Sequence, residues 1–198
     1  MEILNLIKNR LTVREYKKEK IPSKKLQQII EAGIWSSSVH GFQPWEFIIV
    51  SNPKIIKRVG RVIANKAKKI GHSIDRMMLV TAKTINNSPA IIGIFNQHTF
   101  RESAKRIFKI KQHFIGIAEQ TEIQAISAAI QNMVLTASSL GLACCWNTLP
   151  LFCEKEIKKI LHTENSLVAI LTLGIPMSEE EVKRTPRKLV QEKVKIIK

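Results

Sequence analysis

A chain of 198 residues with 44% hydrophobic and 6% aromatic content is long enough to bury a core without covalent staples, and it reads as one domain spanning 1–198. Thirty-two Lys and Arg against sixteen Asp and Glu give a net charge of +16 at pH 7, and Asp75 is the only aspartate. A multi-aspartate magnesium site is therefore excluded, and a Ser-His-Asp triad would have to use Asp75 or substitute a glutamate.

Taken in chain order, the first residues predict a helix near 2–9, without the apolar core of a secretory signal. A short basic turn over 10–20 follows. Pro22-Ser23 opens the next helix with Ser23 as its N-cap, and Leu26, Ile29, Ile30 and Ile34 recur on one face. The stretch Ser36 to Gly41 is polar and predicts a loop, and 46–50 reads as a strand closed by Ser51-Asn52-Pro53. A basic amphipathic helix then carries Ile56, Val59 and Ile63 on its inner side. Ser88-Pro89 introduces an isoleucine-rich strand over 90–96. Over 124–140 the apolar residues Ile126, Ala129, Ile130, Met133, Val134 and Ala137 follow helical spacing, with Gly141 as the terminator. Strands over 142–146 and 167–173 flank a short helix over 154–161. The longest apolar run, 167–175, is interrupted by Thr172 and Gly174 and falls short of a membrane span. The last fifteen residues are charged and loosely patterned, a tail that needs something else to lie on. Helices and strands do not strictly alternate, so the class is α+β.

The three cysteines, Cys144, Cys145 and Cys153, form neither a disulfide framework nor a zinc-site spacing, and they suit a reducing, cytoplasmic compartment. In a strand, Cys144 and Cys145 face opposite sides, which argues against joint redox chemistry. Trp45, Trp146 and the pair Met77-Met78 read as packing residues. The cations fall in three runs, 54–69, 101–111 and 183–198, which read as a solvated basic surface. A basic nucleic-acid-binding module is the lesser alternative.

No G-x-G occurs among the glycines, so neither a dinucleotide fingerprint nor a P-loop is present. Any bound phosphate must be held by side-chain cations. The segment Arg10-Leu11-Thr12-Val13-Arg14 offers a holder, because in extended backbone residues i, i+2 and i+4 share a side. Two guanidinium forks and a hydroxyl would then converge, and guanidinium matches phosphate oxygens in a bidentate way that lysine cannot.

Arg10-x-Thr12-x-Arg14-x-Tyr16 precedes Ser37-Ser38-Val39-His40-Gly41-Phe42-Gln43-Pro44-Trp45. Together they resemble the opening of the FMN-dependent nitroreductase family, whose pattern runs R-x-S-x-R-x-F/Y and then P-S-x-x-N-x-Q-P-W. Gln131-Asn132 with Leu140-Gly141-Leu142-Ala143-Cys144-Cys145-Trp146, then Gly174-Ile175-Pro176 and Pro186-Arg187-Lys188, continue the resemblance in order. Residues 54–86 and 97–123 are unmatched. Gly41 stands where the family has asparagine and Ser37 where it has proline. His40, beside this gap, either donates to a ligand or simply ends the loop in solvent, the second being the plainer reading.

The resemblance implies a nitroreductase-like α+β fold, a central mixed or antiparallel sheet flanked by helices, and an intertwined homodimer with FMN at the subunit interface. It implies that Arg10, Thr12 and Arg14 bind phosphate and ribityl oxygens and that Arg187 adds a phosphate contact. The loop Ser37, Ser38, Val39 and Gly41 would approach from the partner subunit, and Thr148, Leu149 and Pro150 would line the ring edge. The tail from about 177 to 198 would embrace the partner. The activity implied is reduction of small electrophiles, such as nitro compounds or quinones, stacked on the flavin, with NAD(P)H as donor. Dehalogenation, flavin fragmentation and azoline oxidation are the alternatives on the same fold. No metal and no acid–base residue is assigned, since the redox chemistry belongs to the cofactor.

Overall fold

The computed structural model describes residues 2–71, 73–107, 109, 111, 115–177 and 186–197. Four strands form one antiparallel sheet: β1 (Trp45–Val50), β2 (Ala90–Asn96), β3 (Ala143–Asn147) and β4 (Ser166–Gly174), in the order β1-β2-β4-β3. The sheet predicted as mixed or antiparallel is thus antiparallel throughout. The central strands β2 and β4 are buried along nearly their whole length, which is why they read as continuous apolar runs rather than alternating ones.

Both faces of the sheet are covered by helices. One face, carrying Ile92, Ile94, Leu171, Leu173 and Cys144, packs against α2 (Ser23–Ile34) and α6 (Ile115–Ser139). The other, carrying Ile91, Phe95 and Ile170, packs against α3 (Pro53–Ile70), α4 (Ile74–Asn87) and α7 (Glu154–Leu161). The helix α1 (Ile3–Asn9) lies on α6, as does α5 (Thr99–Arg106). Asn52 caps α3 by accepting from the Lys54 N–H at 2.9 Å, and α4 crosses α3 at Gly60. A Cβ there would stand 2.1 Å from Asn86 Oδ1.

Several expectations need correction. Ser23 does not cap α2; it is already helical, and Pro22, with φ of −56° and extended ψ, is the boundary residue without a side-chain cap. The segment after α1 is not a turn but extended backbone, bridged at Thr12 and Tyr16 to the sheet edge. The long helix starts nine residues earlier than its apolar pattern, because Glu122 occupies an inward position among Ala118, Ala125 and Ala129. Helices α4 and α5 lie where no element was predicted. Of the tail expected over 177–198, residues 178–185 and 198 lie outside the described residues; 186–197 are exposed throughout. No described helix is long and apolar enough to cross a membrane.

Candidate functional site

The segment that follows α1 is an added strand-like border on the sheet. Thr12 bridges Cys144 in a parallel sense, and the Val13 N–H donates to the Cys144 carbonyl at 3.1 Å. Four residues on, Tyr16 bridges Pro176, with the Lys17 N–H donating to the Ile175 carbonyl at 2.8 Å and the Met177 N–H to the Glu15 carbonyl at 3.1 Å. Tyr16 is the pin. Its ring rests on Gly174, where a Cβ would come within 2.7 Å of it, and its hydroxyl joins the Val13 carbonyl at 2.6 Å and Thr172 Oγ1 at 2.8 Å. Burial pushes this phenol well above its usual range.

On this border the Arg10 guanidinium donates to Thr12 Oγ1 at 3.2 Å. Arg14, two residues further, is exposed. Neither arginine has a carboxylate partner among the described residues. Extended backbone thus brings Arg10 and Thr12 together as the alternation requires. Arg14 makes no such bond; its charge acts on Tyr16 and Cys145. Cys144 and Cys145 do face opposite sides of the sheet, Cys144 lying in the α2–α6 core and Cys145 pairing with Thr172 on the other face. Burial pushes the Cys144 thiol up to about 12, partly opposed by Arg10, and raises Cys145 as well. Neither is a thiolate nucleophile near neutrality.

At the far end of β3, Thr148 is exposed, Leu149 half-buried and Pro150 buried, in a tight turn over Leu149–Cys153 that the Leu151 N–H closes on the Thr148 carbonyl at 3.0 Å. One edge strand therefore carries the cationic border at its start and this turn at its end. Arg187 is exposed in the C-terminal segment, and no ion pair or hydrogen bond among the described residues ties it to Arg10 or Thr12.

The loop before β1 is a strained turn over Val39–Gly41. His40, Gly41 and Gln43 all have positive φ (45°, 72° and 47°), the left-handed region that glycine and asparagine tolerate best. Ser37 is exposed; Ser38 Oγ accepts from the Gln43 N–H at 3.3 Å. The loop is held by α5: Thr99 Oγ1 donates to the Phe42 carbonyl at 3.2 Å, and the rings of His40 and Phe42 lie 6.2 and 5.4 Å from that of Phe100.

Behind Phe100 stands a residue that sequence reasoning missed. Glu122, fully buried, accepts from the Phe100 and Arg101 N–H groups at 2.9 and 3.0 Å and from Asn96 Nδ2 at 3.0 Å, with His98 Nδ1 3.4 Å away. It satisfies the first N–H groups of α5 and so positions the loop through Phe100. Its signal was a lone acid at an inward helical position, which a search for apolar spacing passes over.

Chemically, two guanidinium groups without carboxylate partners among the described residues and a hydroxyl on a fixed border suit a phosphate monoester, the adjacent Glu15 being paired with Lys83.

Comparison with known proteins bears on the family and the fold. The model for the Nitroreductase family matches residues 7–175. YfhC of Bacillus subtilis (strain 168), named provisionally as an NAD(P)H nitroreductase, is 25% identical over 92% of this chain and 89% of its own. Mouse (Mus musculus) iodotyrosine deiodinase 1 is 24% identical over 96% of this chain and 68% of its own. A BluB-like flavoprotein from Clostridium difficile 630 superposes with a TM-score of 0.81 at 23% identity, over 100% of both chains. A nitroreductase with bound FMN from Bacteroides fragilis NCTC 9343 gives 0.75 at 22% identity, also over 100% of both.

Proposed function

The chain belongs to the Nitroreductase family, and from that premise we propose that it is an FMN-dependent oxidoreductase that uses NAD(P)H to reduce small electrophiles such as nitro compounds or quinones. The observation that carries the proposal is the Arg10–Thr12 pair with Arg14 beside it, uncompensated cations on a pinned strand at the sheet edge. FMN, when bound, supplies the redox chemistry of such an enzyme, passing electrons from the nicotinamide donor to the acceptor.

The residues of this chain bind, orient and enclose. Arg10, Thr12 and Arg14 hold the phosphate and ribityl oxygens, and Arg187 adds a further cation to that grip. Thr148, Leu149 and Pro150 line the ring edge. Ser37, Ser38, Val39 and Gly41 approach from the second subunit of a homodimer. Within one chain the hydrogen bonds and ring contacts of that loop run to Thr99 and Phe100, which leaves it available to a partner's site. The exposed apolar side chains Ile3, Leu4 and Ile7 of α1 and Ile117 and Ile123 of α6 support the dimer, since burying them against a second subunit removes apolar surface from water. Cytoplasmic residence suits the three free, buried thiols.

Reductive dehalogenation is the second reading, favoured by the deiodinase relative that spans nearly the whole chain. Titration of the apoprotein with FMN tests the binding half of the proposal. Stoichiometric uptake is expected, weakened steeply in Arg10→Ala and Arg14→Ala; equal affinity in the variants would place the phosphate elsewhere. Turnover of nitroaromatic, quinone and halophenol acceptors by the loaded protein then separates the two readings.

A further inference from the structure

Six of the seven cations in the first of the three cationic runs fold onto a single face, Lys66 standing outside it. In α3, Ile56, Val59, Gly60, Ile63 and Ala67 are buried against the sheet and α4. At 100° per residue, Lys54, Lys57, Arg58, Arg61, Lys68 and Lys69 fall within an arc of about 120° centred opposite that buried stripe, along roughly 22 Å of helix axis. All six are exposed, α3 contains no acidic residue, and none of the six forms an ion pair among the described residues. Among the described cations, Lys83 pairs with Glu15, Arg101 with Glu102 and Glu119, and Lys105 with Glu102, whereas Arg10 and Arg14 share the unpaired state of the α3 row. The exposed apolar side chains of α1 and α6 lie on the opposite side of the sheet, so a subunit packed there leaves α3 open.

We infer that the outer face of α3 is a docking surface for the phosphate backbone of double-stranded DNA, separate from the Arg10–Arg14 border. The face carries the six cations and one exposed neutral polar residue, Asn65. The arc contains no aromatic residue on which unpaired bases would stack, and the Ile, Val and Ala side chains of α3 are buried or half-buried against the core, none of them exposed to enter a lipid interface. Along each strand a duplex presents one phosphate charge per roughly 3.4 Å, close to the roughly 4 Å per cation of this row, and such a match involves no reading of sequence.

The test uses the full-length, FMN-loaded protein and a labelled DNA duplex of about 30 base pairs, titrated by fluorescence anisotropy between about 50 and 200 mM salt. With about four phosphates neutralised, affinity should fall roughly 100-fold across that range. The variant Lys54→Gln/Lys57→Gln/Arg61→Gln/Lys68→Gln is compared with Lys17→Gln/Lys18→Gln/Lys20→Gln/Lys24→Gln, which removes the same charge from exposed positions elsewhere. The α3 variant should bind at least about 10-fold more weakly and lose most of the salt slope, while the control stays near the parent. Lysine acetylation of the unmutated protein, read by mass spectrometry, should show Lys54, Lys57, Lys68 and Lys69 protected by the duplex even if the α3 variant does not fold. Equal losses in the two variants, tighter binding to a single strand than to the duplex, binding only to phosphatidylserine vesicles, or no binding at low salt would each overturn the inference. FMN retention, followed in the same samples, reports separately on the flavin site.

Discussion

Arg10 uses one N–H on Thr12, and Arg14 is exposed, with no ion pair among the described residues for either. Because hydrogen bonds to charged groups contribute about 1.5–3 kcal/mol, each arginine-to-alanine change should weaken FMN binding by roughly 10- to 100-fold. The melting temperature of the apoprotein should scarcely move. Flavin fluorescence titration and thermal denaturation check the two halves. Gly41 is the second informative residue. Its φ of 72° explains how glycine and asparagine can share one position, for both accept left-handed backbone, and open space surrounds the site of its Cβ. Gly41→Asn should therefore fold with little loss of stability, whereas Gly41→Val should lose about 1–2 kcal/mol through backbone strain alone; chemical denaturation distinguishes them. The sequence displayed this substitution but not its conformation, which depends on the turn that α5 holds in place. The thiols give a pH dependence. Native Cys144 stays protonated up to about 12 and Cys153 up to about 11, against about 9 for an unfolded thiol. The folded state therefore binds more protons above pH 9, and stability should decline as pH rises from 9 towards 12. Cys144→Ala/Cys153→Ala should flatten that limb of a stability–pH curve.

Elements that sequence reading located well are those whose apolar spacing is undiluted. The strand over 90–96 and the helix over 154–161 have the expected bounds, since every residue of the first is buried and Ile157, Ile160 and Leu161 mark the second. Helix α4 was illegible because Thr81, Ala82 and Thr84 share its buried face with Met78 and Ile85. Helix α5 buries only Ala104; it depends on Glu122, a long-range partner that no local pattern reveals. Glu122→Ala should cost about 3 kcal/mol or more, by leaving Asn96 and two α5 N–H groups without their acceptor in a buried place. Glu122→Gln, which retains one acceptor, should cost less. Proteolysis near 99–106 would report whether α5 loosens first. The border strand has its own determinant. Tyr16→Phe removes both hydroxyl bonds, and should lower stability by about 1–3 kcal/mol and weaken FMN binding without touching a phosphate ligand.

At the scale of the whole molecule, the fold was legible because nearly every strand carries an apolar signature in order along the chain. The border formed by residues 12–17 was legible only as a motif. Its alternation named Arg10 and Thr12, but its place beside β3 and beyond the end of β4 is a tertiary fact. Two surfaces leave work for a partner: the apolar side chains of α1, α6 and the C-terminal segment, and the cationic face of α3. If FMN sits between two copies, binding and dimerisation are linked. Light scattering should then show dimers, and dilution of the apoprotein should weaken apparent FMN affinity. The central claim, that this border holds a redox-active FMN, is tested most directly by the visible spectrum of the purified protein before and after anaerobic addition of NADH or NADPH. A yellow protein whose flavin bands bleach with one of the donors is the expected result; a colourless protein that takes up no added FMN would contradict the account.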